Sequence, residues 1–236
     1  MQAAGHIRGG ASGLSDRFEG FCARIGRPGR EAGAPLAVSW LVAAIACGGA
    51  IFGAVMGTYQ VGEPGRWPLV IYAALKVPSL IMVTTAVCLP AFFVLNTVLG
   101  LRDDFGRAVR AVLAGQAALA LALASLAPLT RVAYESGIGH GGAQLFNAGM
   151  FALATGAGQA VMLRHYRAII ASNQALEDRH RAMLWAWVVM YVFTGVQTGW
   201  VLRPYIGAPG LEVRFFRVDA FTNAYVYFLR LVFGGG

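Results

Sequence analysis

Four histidines (His6, His140, His165 and His180), three cysteines and 11 acidic residues are this chain's stock of metal ligands, nucleophiles and proton carriers. Their spacing builds no recognised site. Cys47 and Cys88 sit inside apolar runs and Cys22 in the N-terminal segment, with no pair at metal-ligand spacing, so they read as small buried hydrophobes. No phosphate-binding loop, dinucleotide fingerprint or His-Glu-x-x-His pair occurs. A haem, zinc or intramembrane protease site would need a histidine within an apolar run, and charge-coupled transport usually needs an ionisable group there. All Asp, Glu and His residues fall outside those runs. The residue types therefore point away from an enzyme and imply no cofactor and no metal.

What remains is polar but uncharged. Gln144, Asn147, Thr155 and Gln159 share one otherwise apolar stretch. At 100° per residue they fall within an arc of about 120°, which predicts a polar face turned into a bundle. Gln197 adds a polar group in the stretch GVQTGWVLRPYIGAPG, residues 195–210. There Gly195 and Gly199 are four apart and predict a close-packing face. Trp200 and Arg203 read as interfacial anchors, and Pro204 as a stop, so that the string forms a clamp at one membrane face. Lys76 is the one charged residue near membrane depth. It reads either as a side chain snorkelling to the headgroups or as half of an ion pair or lipid phosphate contact.

The elements that position these residues are set by composition. Of 236 residues, 57% are hydrophobic and only 13% charged, and the mean hydropathy is +0.59. So little charge cannot cover a soluble surface, and the bilayer becomes the expected solvent. Five spans follow, at about 36–58, 79–101, 108–126, 143–163 and 182–202. Residues 68–77 are expected at the interface, separated from the second span by Lys76 and Pro78. Pro90 is expected to kink that span, and Pro128 to end the third. Gly49, Gly53 and Gly57 clear one face of the first span for a neighbouring backbone. Trp185 and Trp187 mark one end of the fifth span and Trp200 the other.

The fold class is thus all-α: a polytopic transmembrane bundle with amphipathic segments at both ends. Residues 1–34 form an N-terminal tail whose segment 14–25 is either a surface helix or a frayed extension. Residues 35–203 form the bundle, and 204–236 an interfacial segment in which 219–233 is either interfacial or a sixth span. The tail lacks the early apolar core of a cleavable signal peptide, so the first span is expected to direct insertion. Basic residues number five, one, three, one and four in successive connecting segments, which places the N-terminus in the cytoplasm. The net charge of +8 sits in these segments without interleaved aromatics, which argues against nucleic acid and for anionic lipid.

Three segments, YAALKVP (72–78), CLPAFFVLN (88–96) and GWVLRPYIGAP (199–209), together resemble a group of uncharacterised multi-spanning bacterial inner-membrane proteins. The resemblance implies a bacterial inner-membrane location and one continuous domain, and carries no catalytic residues across. The expected role is a non-catalytic accessory, scaffolding or anchoring subunit that contacts other membrane subunits or copies of itself. The alternative is a small-solute transporter or channel lined by the polar face.

Overall fold

The computed structural model describes residues 19–23, 25, 37–172, 174–203, 205–207 and 214–216. The described residues hold no strand. Five long helices follow one another: α1 (Val38–Gly57), α2 (Pro68–Val98), α3 (Phe105–Glu135), α4 (His140–Ser172) and α5 (Glu177–Val201). The connections are short, so successive helices run antiparallel. A turn with Gln60 and Gly65 at positive φ returns the chain from α1 to α2, and Pro68, whose missing N–H costs nothing in a first turn, starts α2. Gly137, also at positive φ, leads from α3 into α4.

Four segments are long and apolar enough to cross a membrane: Val38–Gly57, Pro68–Val98, Arg102–Glu135 and Gln174–Val201. The chain is a helical membrane protein. α4 is 33 residues long but too polar to join that set. The outward faces carry many large apolar side chains, Leu145, Val98 and Val189 among them, as lipid contact requires and water would not tolerate.

The helix boundaries correct several expectations. Residues 68–77 are not a separate interfacial piece, because α2 runs unbroken for 31 residues through Lys76, Pro78 and Pro90. α3 likewise continues through Pro128 for 31 residues. In an apolar surrounding a break in the helix would leave further backbone groups unpaired, so α2 and α3 continue past their prolines. Trp187 is no interfacial anchor, since it is wholly buried, whereas Trp185 is 72% exposed. Trp40 and Trp67 are exposed at opposite ends of the bundle and fit headgroup level better.

α1 lies at the centre, packed along α2 on one side and α3 on the other. α5 packs on α2 and α4 on α3, while α4 and α5 scarcely touch. Glycines set the closest approaches. A Cβ on Gly53 would overlap the Ala73 carbonyl oxygen, and one on Gly57 would stand 2.6 Å from that of Leu69. Gly49 abuts the Pro78 ring, and a Cβ on Gly48, one residue earlier, would stand 2.6 Å from the Ala120 carbonyl oxygen of α3. Gly115 and Gly158 make a reciprocal crossing of α3 and α4, where a Cβ on either would stand 2.9 or 2.7 Å from the other's carbonyl oxygen.

Of the segment 14–25, the described residues 19–23 and 25 are helical. Phe21 and Ile25 are buried against the bundle, with Phe21 6.1 Å from Trp40 and the Ile25 carbonyl 2.8 Å from His165 Nε2. The remainder of that segment, Pro204 and the segment 219–233 lie outside the described residues.

Candidate functional site

One end of the bundle is solidly filled. Phe92, Leu101, Val112, Met162, Met183 and Trp187 are buried together where α4 turns into α5. Trp187 meets Phe92 edge-on at 5.0 Å and stacks on Tyr191 at 5.7 Å. Beside them His180 is fully buried, with Nε2 3.4 Å from the Asp104 carboxylate, and Arg179 donates to the Leu99 carbonyl at 3.1 Å. These contacts bring the start of α5 onto the α2–α3 connection and hold α4 and α5 together at this end.

From mid-length to the opposite end, the two helices leave a cleft of about 1310 Å³ between them. Cavities for small molecules commonly measure about 300–1,000 Å³, so this one has room for a long-chain molecule. Its back wall is Leu80, Ile81 and Thr84 of α2 with Leu119 of α3. Its α4 side carries His140, Gln144, Asn147, Phe151 and Thr155, spaced by three and four residues and therefore on one helical face. Its α5 side carries Tyr191, Val192, Gly195, Val196 and Gly199. Tyr191 forms the floor, its hydroxyl donating to Gln116 Oε1 of α3 at 2.8 Å.

Several polar atoms at this cleft are buried without a hydrogen-bond partner. Asn147, 6% exposed, donates from Nδ2 to the Tyr134 hydroxyl at 2.6 Å, but its Oδ1 has no donor. Thr84, 1% exposed, has a hydroxyl with no partner. His140 Nε2 lies 3.1 Å from Gln144 Nε2 while its Nδ1 is unmatched, and the Tyr205 hydroxyl is unmatched too. Burial pushes the Tyr205 phenol well above its ordinary pKa, so it stays protonated and able to donate. An unmatched buried polar atom costs about 1–3 kcal/mol, and four such groups belong to residues that line the cleft.

The open end is basic. Arg66, 4% exposed, lines the cleft and donates from Nη2 to the Ile206 carbonyl at 3.0 Å, with Glu63 3.5 Å from its Nη1. Arg203 lies over the Trp200 ring, 3.2 Å from its centroid, and Arg214 completes the group. No acidic side chain lines the cleft among the described residues. Comparison of the chain with protein-family models, curated proteins and solved structures returned no match. The site therefore has to be read from its own geometry.

Three of the four residues of the expected polar face, Gln144, Asn147 and Thr155, line the cleft together. Gln159 is half-buried and falls outside the lining, as does Gln197. A Cβ on Gly195 or Gly199 would meet α2 only at ordinary contact, 3.6 Å from Thr84 Cγ2 and 3.8 Å from Leu80 Cδ1, so these glycines leave room beside the cleft where a tight backbone crossing was expected. Trp200 and Arg203 sit at its mouth. Lys76 does not snorkel to the surface: it is fully buried, with Nζ 4.7 Å from the Phe215 ring centroid. Arg66, Thr84, Tyr191 and Arg214 are marked as site residues by nothing in their local sequence. Each stands alone in its own stretch, and only the fold brings them together.

Proposed function

We propose that this protein is a non-catalytic, multi-pass membrane protein that holds an amphiphilic small molecule in the cleft between α4 and α5. In this reading it serves as an accessory or anchoring subunit of a larger membrane assembly. All five helices cross the bilayer, with the N-terminus cytoplasmic, in a bacterial inner membrane. α4 serves as a span despite its polarity because its polar face turns toward the cleft and not toward lipid. The observation that carries the proposal is the pairing, in one cavity, of apolar walls with buried polar atoms that lack partners.

A solute path is the second reading, favoured by Gln144, Asn147 and Thr155 on one wall. Against it stands the floor, where Tyr191 bonds Gln116 and the Trp187 cluster fills the space beyond. A path would need that packed end to open.

Ala152 lines the cleft on α4 and is exposed. Ala152→Trp should fill the cavity without entering the core. Native mass spectrometry of protein purified in mild detergent should show a low-mass adduct on the wild type that this variant lacks. Identical spectra with no adduct on either protein, together with solute flux in liposomes, would favour the path.

A further inference from the structure

We infer that the cleft's ligand is an uncharged amphiphile with a hydroxylated head, held by the polar start of α4 while its hydrocarbon chain lies along the apolar walls. The inference rests on the ligand-cleft reading and assigns a chemical class to the ligand.

Polarity changes along the cleft in one direction. His140, Gln144 and Asn147 lie within about 10 Å along the axis of α4, at about 1.5 Å per residue, and all three line the cleft. Beyond them the lining turns apolar, with Phe151 of α4, Leu80 and Ile81 of α2, and Val192 and Val196 of α5. The polar wall is braced from behind. The buried Tyr59 ring lies 5.8 Å from that of His140 and 5.1 Å from that of Tyr134, whose hydroxyl accepts from Asn147 Nδ2 at 2.6 Å. Side chains held in this way lose little freedom when a ligand binds.

The bonds already made decide what the wall offers. Gln144 Nε2 can only donate, so at 3.1 Å from His140 Nε2 it places the imidazole proton on Nδ1, which has no acceptor. Gln144 Oε1 remains an open acceptor on an exposed side chain, and Asn147 Oδ1 has no donor. The Tyr205 hydroxyl, unmatched as well, belongs to the same lining. An ester or carboxylate head only accepts, and would bring oxygen to amide oxygen with no proton between them. A hydroxyl donates to such an oxygen and accepts from an N–H, so it suits every one of these groups. The charges at the mouth are already engaged. Arg66 pairs with Glu63 at 3.5 Å and with the Ile206 carbonyl, Arg203 covers the Trp200 ring, and Arg214 also has a partner.

The experiment uses the full chain, delipidated in an amine-oxide detergent whose head carries no hydroxyl. It is titrated with 1-oleoylglycerol, methyl oleate or oleate, and bound amphiphile is counted by native mass spectrometry. 1-Oleoylglycerol should bind about tenfold tighter than either of the others, the ratio for one net hydrogen bond. Gln144→Leu, at an exposed position, and His140→Phe, which keeps a ring against Tyr59, should each remove most of that preference while methyl oleate still binds. Dodecyl maltoside should compete and glycerol should not. Tighter binding of the maltoside than of oleoylglycerol would make the source a sugar-headed lipid and not a glyceride, within the same chemistry. Equal binding of oleoylglycerol and methyl oleate, tighter binding of oleate, an unchanged preference in both variants, or displacement by glycerol would each overturn the hydroxyl assignment. If the three amphiphiles bind the wild type equally and Ala152→Trp abolishes their binding, the cleft reading survives and the hydroxyl site does not. If Ala152→Trp leaves binding intact, both fail.

Discussion

Gly53→Leu should push α1 away from α2 and sharply lower the stability of the folded protein. A Cβ at residue 53 would overlap the Ala73 carbonyl oxygen and stand 3.0 Å from the Ala74 Cα, so the obstacle is backbone that no rotamer change can move. Overpacking a core usually costs about 1–3 kcal/mol when side chains can shift, and here the cost should exceed about 3 kcal/mol. In a chain of this size that corresponds to a fall in midpoint temperature of roughly 10 °C, measurable by fluorescence-detected thermal unfolding in detergent. Gly199→Ala is the matched control. Its Cβ would meet only Leu80 Cδ1 at 3.8 Å, so the midpoint should move by less than about 0.5 kcal/mol's worth. Equal tolerance at both positions would remove glycine packing as the principle that fixes α1 against α2.

The second large effect lies at the filled end. Trp187→Ala should cost about 3–5 kcal/mol, the range for deleting a fully buried large aromatic. Trp187 has no exposed surface and packs between Phe92 and Tyr191, so its removal opens a hole where α5 is held to α2. Its indole Nε1 has no hydrogen-bond partner. Trp187→Phe therefore loses volume but no hydrogen bond, and should cost less than half as much as alanine. The pair reports on architecture as well as stability. If Tyr191 and Gln116 form the floor, loss of Trp187 also weakens that floor, and the alanine variant should bind the cleft ligand less tightly than the phenylalanine variant. Similar midpoints for the wild type and the alanine variant would show that this cluster does not hold the bundle closed.

The legible part of the fold was the part written in local pattern. The apolar runs gave the positions of the helices, and the four-residue spacing of Gly49, Gly53 and Gly57 coincides with the closest backbone approach in α1. Helix lengths are less legible, because Pro78 and Pro128 end helices in water but lie inside α2 and α3 here, where a break in an apolar surrounding would leave further backbone groups unpaired. Trp187 was misread because tryptophan type says nothing of which helical face it occupies. One wall of the cleft was legible, since Gln144, Asn147 and Thr155 belong to one helix and follow one period. The rest was not, because Arg66, Thr84, Tyr191 and Arg214 come from four separate stretches. Gly115 and Gly158 each look like one more small residue in an Ala- and Gly-rich helix, and only the crossing of α3 and α4 gives them a shared role.

The central claim is that the cleft holds a small amphiphile. A photo-crosslinking residue placed at Ala148, on the cleft wall, tests it most directly, with the same residue at the outward-facing Leu145 as reference. After irradiation in native membranes, position 148 should carry a single low-mass amphiphile at high yield, lost when Ala152→Trp is added, while position 145 should label bulk lipid indiscriminately. Labelling at 148 that matches bulk lipid, or that captures only the chain's own residues 217–236 or another protein, would contradict it.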